Sequence, residues 1–472
     1  MSTQQQVEDL KSILKAMQQR HTAAGPADAA LRQDRLLRAA RLLREHRDEL
    51  VQAMNADFGQ RSVYQSLAAD IATTLNMLSY SAAHVQEWMQ TETLAEPAPG
   101  VIARIERQPL GVVGIISPWN FPINLAFGPL AGVLAAGNAA LLKPSELTPR
   151  TSELLAELIA RYFDPMELGV VLGDAAIGAA FSGLPFDHLV FTGSTTVGRH
   201  VMRAAAENLV PVTLELGGKS PVFVSQDADI AVAVARTLTV KTFNAGQICL
   251  APDYMMIPAA RQIELVSAAH DFMSKAFPSI QGNPDYTSII TPRHYERLLG
   301  LLDDAQQRGA RVISLAPLGE PDYDPVSRKI APHLVLNVTD EMKIMQEEIF
   351  GPLLPVMVCS TDEEAIAYIN AHPRPLAAYY FGNTPQAQQQ FSARTTSGAL
   401  VINDIMSHVS IETLPFGGVG ASGIGAYHGI HGFMRFTHNK AVVVQSPDGA
   451  SNLRLRAPYA DKLPKLEAAL SA

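Results

Sequence analysis

HLVFTGSTTVGRHVMRAAAENL (188–209) decides the architecture of this 472-residue chain. An apolar run at 188–192 is followed at once by Gly193-Ser194, and then by a helix-like stretch at 197–208. Working outward, similar apolar runs occur at 112–116, 139–142, 170–172 and 212–216, with another helix-like stretch at 152–163. Continuous Val/Leu/Ile runs alternating with helices predict a parallel sheet covered on both faces. Residues 1–95 read as helices, because 30–50 (ALRQDRLLRAARLLREHRDEL) sets Leu31, Leu36, Leu37, Leu42 and Leu43 near helical spacing. A second series of strands is predicted at 222–224, 255–257, 311–314, 334–336, 354–358, 377–381 and 399–402. Helices are predicted between them at 231–240, 260–276, 293–307, 363–370 and 385–392. The fold class is α/β, with two doubly wound domains. Two further strand-like runs, IARIERQ (102–108) and KAVVVQ (440–445), fall outside both series. Such strands need partners, which a subunit interface would supply.

Composition narrows the function. Hydrophobic residues make up 47% and charged residues 18%, the balance of an ordered globular protein. With 37 basic against 46 acidic side chains the net charge is −9, and the absence of a Lys/Arg block argues against nucleic acid as a partner. Only Cys249 and Cys359 occur, too few for a disulfide framework, so free thiols in a reducing, cytoplasmic setting are expected. Residues 1–20 carry charges where a secretory signal would be apolar. The uncharged stretch 123–142 (INLAFGPLAGVLAAGNAALL) is long enough to span a bilayer, but Pro129 and the Gly137-Asn138 stop point to a buried core segment. The tail 463–472 is too short and charged for an anchor, so no membrane association is expected.

Several residues have the chemistry of a site. Cys249 lies in NAGQICL (244–250), where Gly246 and Gln247 suit a tight turn exposing the thiol. The alternative is a buried small hydrophobe, which Cys359 at the end of an apolar strand fits well. Glu215 stands in the middle of an apolar strand (VTLELGGK, 212–219), as a buried general base or as the partner of Lys219. Asn120, between Pro118 and Pro122, can donate to an oxyanion or cap a turn. Gly193 and Ser194 open a helix, as phosphate binding requires. Arg199-His200 stands where a P-loop carries its lysine and hydroxyl, which excludes an ATP site. Gly418-Val419-Gly420-Ala421-Ser422-Gly423 matches a dinucleotide fingerprint literally, yet follows no strand and is set aside. Lys143 and Glu146 (KPSE) follow a strand at its carboxyl end, as ribose ligands or a solvated turn. Glu348 and Phe350 belong to EEIFGP (347–352). His428 and His431 have no neighbouring acid or thiol, so no metal is expected.

Together PWNFP (118–122), KPSE (143–146), FTGS (191–194), LELGGKSP (214–221), NAGQIC (244–249), EEIFGP (347–352) and PFGGVGASGIGAYHG (415–429) resemble the NAD(P)-dependent aldehyde dehydrogenase superfamily. The resemblance runs from about residue 30 to 446, and 186–209 with the last motif is most similar to the class-three branch, near bacterial coniferyl aldehyde dehydrogenases. It implies an aldehyde dehydrogenase fold: a cofactor-binding domain (1–101 and 109–216), a catalytic domain (217–412), a small β oligomerisation arm (102–108 with 430–446) that builds a homodimer, and a tail (447–472). It implies Cys249 as nucleophile, Glu215 as the base that activates water, and Asn120 as oxyanion donor. Lys143 and Glu146 are then the adenosine ribose ligands, Gly193 and Ser194 lie at the pyrophosphate, Glu348 and Phe350 bind the nicotinamide half, and Trp119 lines the cofactor cleft. NAD is the expected cofactor, with NADP usable, because Glu146 should repel a 2′-phosphate. The implied reaction converts an aldehyde to its carboxylic acid through a thiohemiacetal and a thioester. Ile248, Leu250 and Phe121 depart from the branch by making the walls beside the nucleophile more apolar, which leaves the substrate open between hydroxycinnamaldehyde-like and medium-chain aliphatic aldehydes. A CoA-acylating relative would not need Glu215, and a non-catalytic binding protein would not need the nucleophile.

Overall fold

Helices Thr3–Ala24, Ala29–Glu45, Arg47–Phe58 and Thr73–Trp88 open the chain, followed by strands β1 (Glu92–Thr93) and β2 (Ile102–Pro109). This computed structural model describes residues 3–97, 100–447 and 455–471; residues 1–2, 98–99, 448–454 and 472 of the expected cofactor domain and tail lie outside it. Next come β3 (Val112–Ile116), β4 (Ala139–Lys143), β5 (Leu168–Val170), β6 (His188–Gly193) and β7 (Val212–Leu216), all parallel in the order β7-β6-β3-β4-β5. Strand β5 starts earlier than predicted because Leu168 is the buried residue of that run while Leu172 is 42% exposed.

Both faces of this sheet are covered. Val112, Ala139, Leu141 and Leu189 pack with Leu10, Leu14 and Met17 of the first helix. Their neighbours Val113, Ile115, Ala140, Leu142 and Val190 join the main core on the other face. Alternate residues of a strand point to opposite faces, so two buried faces demand unbroken apolar strands. The suspect stretch 123–142 is part of this core: helix Asn124–Ala135, a turn, and β4, nearly all of it buried. Among the described residues no helix is long and apolar enough to cross a membrane.

The second sheet takes β8 (Ser220–Val224), β9 (Pro252–Ile257), β10 (Arg311–Ser314), β13 (His333–Leu336), β14 (Leu353–Val358), β15 (Ala377–Phe381) and β16 (Ala399–Ile402). Its order is β10-β13-β14-β9-β8-β15-β16, with only β10 antiparallel. A two-stranded ribbon, β11 (Tyr323–Asp324) with β12 (Lys329–Ile330), lies between β10 and β13 in sequence. The chain then returns to the first sheet, where β17 (Gly423–Ile424) pairs antiparallel with β7, Gly423 opposite Glu215. Helix Gly429–Arg435 occupies part of the segment read as a β arm. It packs on helix Asn124–Ala135 so closely that a Cβ on Gly132 would sit 2.9 Å from the Gly432 carbonyl carbon. The two orphan strands find their first partners within the chain: β2 pairs with β18 (Thr437–Val444) from Pro109↔Thr437 to Ile102↔Val444, and β1 flanks β2. The final described helix is Leu463–Leu470.

Candidate active site

Strands β3 and β6 are neighbours although β4 and β5 intervene in sequence, so the strand order reverses between them. Ligands of α/β sheets bind at such a switch point, beyond the carboxyl ends of the strands. Pro118-Trp119-Asn120 leaves β3 there, and Gly193-Ser194 leaves β6. From the other side comes the amino edge of the second sheet: Cys249 shortly precedes β9, and Glu348 and Phe350 precede β14. A cavity of about 770 Å³ lies between the two edges. Trp119, Asn120, Gly193, Ser194, Glu215, Cys249, Glu348 and Phe350 all line it. Lys143 and Glu146 do not; the buried ammonium of Lys143 is paired with the half-exposed Glu146 carboxylate at 3.0 Å.

The thiol loop is held in a conformation that its own residues do not favour. After helix Ile230–Thr242, Asn244, Ala245 and Gly246 have φ of 49°, 51° and 71°, three successive left-handed residues. Such backbone persists only when its surroundings over-determine it. The Asn244 N–H donates to Gln65 Oε1 (2.8 Å), and Asn244 Nδ2 donates to the carbonyls of Asn120 and Gln247 (3.2 and 3.1 Å). Gln247 Nε2 donates to the Ser288 carbonyl, while its Oε1 accepts from the Ile290 N–H. Gly246 has no room for a side chain, since a Cβ there would lie 2.4 Å from the Gly351 carbonyl oxygen.

A second buried network fixes Asn120. Arg61, fully buried, donates to the Asn120 carbonyl at 2.7 Å and pairs with buried Asp70, also at 2.7 Å. Asp70 lies in a π-helical turn, Ser66–Ala72, a widened form often found at functional sites, and its Oδ1 accepts the N–H groups of Ile123 and Asn124. Asn120 Nδ2 then donates to the Gln247 carbonyl at 3.2 Å, which uses one of its two N–H donors and ties it to the thiol loop. Neither Arg61, Asp70 nor Gln65 belongs to a motif, so the sequence carried no signal for this support.

Burial shifts both of the site's acids in the same direction. Glu215 is 3% exposed, and neither carboxylate oxygen has a hydrogen-bond partner. Burial raises its pKa well above the usual carboxylate range, opposed by Arg435. Its alternative partner, Lys219, is occupied elsewhere, by Asp253 and by the carbonyls of Ile344 and Glu347. Burial, with Asp253 nearby, pushes Glu348 up to about 8 despite a hydrogen bond from the Gly218 N–H. Burial first, then Glu348 and Glu215, pushes the Cys249 thiol up to about 12, while the N–H groups of Cys249 and Leu250 favour the thiolate. A carboxylate whose proton affinity is raised by burial, near a thiol, is the arrangement of a proton-transfer pair. Trp119 meets Phe350 edge-on at 5.4 Å, closing one wall of the cavity with aromatic surface.

The cavity fits a dinucleotide. Its volume is in the range of cofactor sites, the first turn of helix Thr195–Ala206 opens onto it, and Thr192 Oγ1 in its wall is buried with no partner. Ser194 spends its hydroxyl capping that helix, accepting from the Val197 N–H at 3.4 Å. The literal fingerprint at 418–423 is instead a tight loop leading into β17, where Ser422 hydrogen-bonds back to Val419. Among the described residues no three His, Cys, Asp or Glu side chains are grouped to hold a metal.

Known proteins resemble this chain in sequence and in fold. The sequence profile of the aldehyde dehydrogenase family matches residues 2–442. A coniferyl aldehyde dehydrogenase of a Pseudomonas species is 58% identical over 97% of this chain and 95% of its own length. The substrate-bound AldH of Staphylococcus aureus superimposes with a TM-score of 0.91 at 35% identity, over 98% of this chain and 99% of that one. The betaine aldehyde dehydrogenase of the same organism, solved in complex with NAD+, superimposes with 0.85 at 28% identity, over 94% and 88%. By sequence and by fold, this chain belongs to the aldehyde dehydrogenase family.

Proposed function

We propose that this NAD(P)-dependent aldehyde dehydrogenase acts on an extended aldehyde, hydroxycinnamaldehyde-like or medium-chain aliphatic, and releases the free carboxylic acid. One observation carries the reading: Cys249, partnerless Glu215 and Asn120 line a single cavity. The Cys249 thiolate attacks the aldehyde carbon, and the alkoxide that forms is met by the free N–H of Asn120 and a backbone N–H. A nicotinamide held beside Glu348, Phe350 and Trp119 would supply the two-electron acceptor needed for the Cys249 adduct to become a thioester. Glu215, unpaired and buried, takes a proton from water, whose oxygen displaces the sulfur and frees the acid. Glu348, Phe350 and Trp119 are assigned to the nicotinamide half of the cofactor, and Gly193 and Ser194 to its pyrophosphate. Lys143 and Glu146, paired at the end of β4, are assigned to the adenosine ribose, where the Glu146 charge favours NAD over NADP. The division into cofactor-binding, catalytic and arm segments follows the two sheets and the β2–β18 ribbon. The ribbon, with Ile102 and Val443 more than half exposed, supports a homodimer, and the free thiols support a cytoplasmic location.

The high identity to a protein named for coniferyl aldehyde supports the aromatic substrate. Assaying coniferaldehyde, benzaldehyde and hexanal at matched NAD should give the highest kcat/KM with coniferaldehyde and free ferulic acid as product. An acyl-CoA formed faster than free acid when CoA is added would overturn the assignment.

A further inference from the structure

Gly193 and Ser194, assigned above to the pyrophosphate, bring no charge of their own, and the Ser194 hydroxyl is already used as a helix cap. The charge comes from elsewhere on the cavity wall. Four Lys and Arg side chains line it. Lys219 is held by Asp253 and two backbone carbonyls, and Arg297 by Glu347 and the carbonyls of Glu348 and Ile349. The other two, Arg199 and Arg374, are exposed, and among the described residues neither has an ion-pair or hydrogen-bond partner. They stand on opposite sides of the cavity. Arg199 lies on helix Thr195–Ala206, four residues after Thr195 and three after Thr196, so the three share a face, and all of them line the cavity. Arg374 belongs to the loop between helix Asp362–Ala371 and β15 of the second sheet.

The glycine-rich loop 418–423 joins the two sides. A Cβ on Gly420 would lie 3.8 Å from Arg374 Cδ, and the next carbonyl, that of Ala421, accepts from Thr195 Oγ1 at 3.1 Å. The Arg374 stem is therefore packed beside the first turn of helix Thr195–Ala206, whose leading N–H groups favour an anion. Thr192 Oγ1, in the same wall and on a residue only 8% exposed, is a further polar group without a partner. Two unpaired guanidinium groups on one cavity, in a chain of net charge −9, match an anion that carries two charges. We propose that Arg199 and Arg374 are cofactor-binding residues that grip the two phosphoryl groups of the dinucleotide pyrophosphate, one from each side of the cavity. The ligand class is a pyrophosphate diester, so ADP-ribose, which lacks the nicotinamide, is held by the same pair. This rests on the cofactor site assigned above and deepens it, because Arg374 makes cofactor binding depend on the second sheet as well as the first.

The test titrates the full-length protein with ADP-ribose by calorimetry, and with NADH and NADPH by fluorescence, at about 20 and about 500 mM salt. A hydrogen bond to a charged group corresponds to roughly 10–100-fold, and exposed side chains fall at the lower end. Arg374→Gln and Arg199→Gln should therefore each weaken ADP-ribose and NADH by about tenfold at low salt. At high salt, where exposed charges are screened, the gap to wild type should shrink to about threefold or less. Arg374→Lys, which keeps the charge and loses the planar fork, should recover part of the affinity. A loss that is equal at both salt concentrations reports a change of structure and overturns the proposal, as does a glutamine variant at either position that binds ADP-ribose like the wild type. A loss confined to NADPH moves the pair to the 2′-phosphate and overturns it too. In each of these cases the cofactor site stands. A wild type that binds neither ADP-ribose nor NADH overturns the cofactor site and this proposal together.

Discussion

Cys249 is less acidic than a free thiol, because burial and two nearby carboxyl groups hold its pKa up near 12. A raised thiol pKa keeps the thiolate a minor form throughout the neutral range, and its population grows about tenfold per pH unit until the pKa is reached. In the enzyme without cofactor, alkylation of Cys249 by iodoacetamide should therefore accelerate steadily from pH 7 to pH 10. A plateau below pH 9, followed by mass spectrometry of the Cys249 peptide, would contradict the buried environment described here. Glu215 is proposed to act after the oxidation step, so its loss should be felt there. Glu215→Gln should retain a first-turnover burst of NADH while steady-state turnover falls by about 10²–10⁴, the usual contribution of a general base. Loss of the burst as well as the steady rate would move Glu215 to the attack step.

Among the elements, the π-helical turn at Ser66–Ala72 has the widest reach. Asp70 in it holds Arg61 and the N–H groups of Ile123 and Asn124, and Arg61 holds the carbonyl of Asn120. Removing one member of a fully buried ion pair leaves an uncompensated charge, at a cost of about 3–5 kcal/mol. Arg61→Met should destabilise the protein by that order in urea unfolding and lower activity, because Asn120 loses its support. A double variant, Arg61→Met with Asp70→Leu, should recover much of the stability and little of the activity. Recovery of both would show that the pair is structural only. The left-handed turn Asn244–Gly246 depends on the same kind of long-range support, through Gln65, Asn120 and Ser288 rather than through its own residues.

At the scale of the whole molecule, the two sheets meet carboxyl edge to amino edge, and the cavity is the seam between them. The β1-β2-β18 sheet stands apart from both and leaves β18 as an edge strand with Val443 65% and Val444 45% exposed. Exposed apolar edges of this kind associate unless blocked. Light scattering should report twice the chain mass at micromolar concentration, and Val443→Asp should shift the mass to that of one chain while far-UV circular dichroism stays unchanged. A wild-type chain that is monomeric at that concentration, or a variant that stays dimeric, would remove the ribbon as the interface.

What could be read along the chain was whatever is local. Strand and helix order follows from the period of apolar residues, and β15 and β16 (Ala377–Phe381, Ala399–Ile402) fall where their Val/Leu/Tyr runs place them. The cap at Ser194 is equally local, since its hydroxyl meets the Val197 N–H three residues on. The tertiary structure alone decided which of two partners Lys219 takes, and so left Glu215 unpaired. It also decided that the orphan strands pair with each other, that β17 returns to cover Glu215, and that Arg61, Gln65 and Asp70 brace the site. Those outcomes depend on charges and backbone groups brought together from distant parts of the chain, where burial rather than sequence spacing sets the energy.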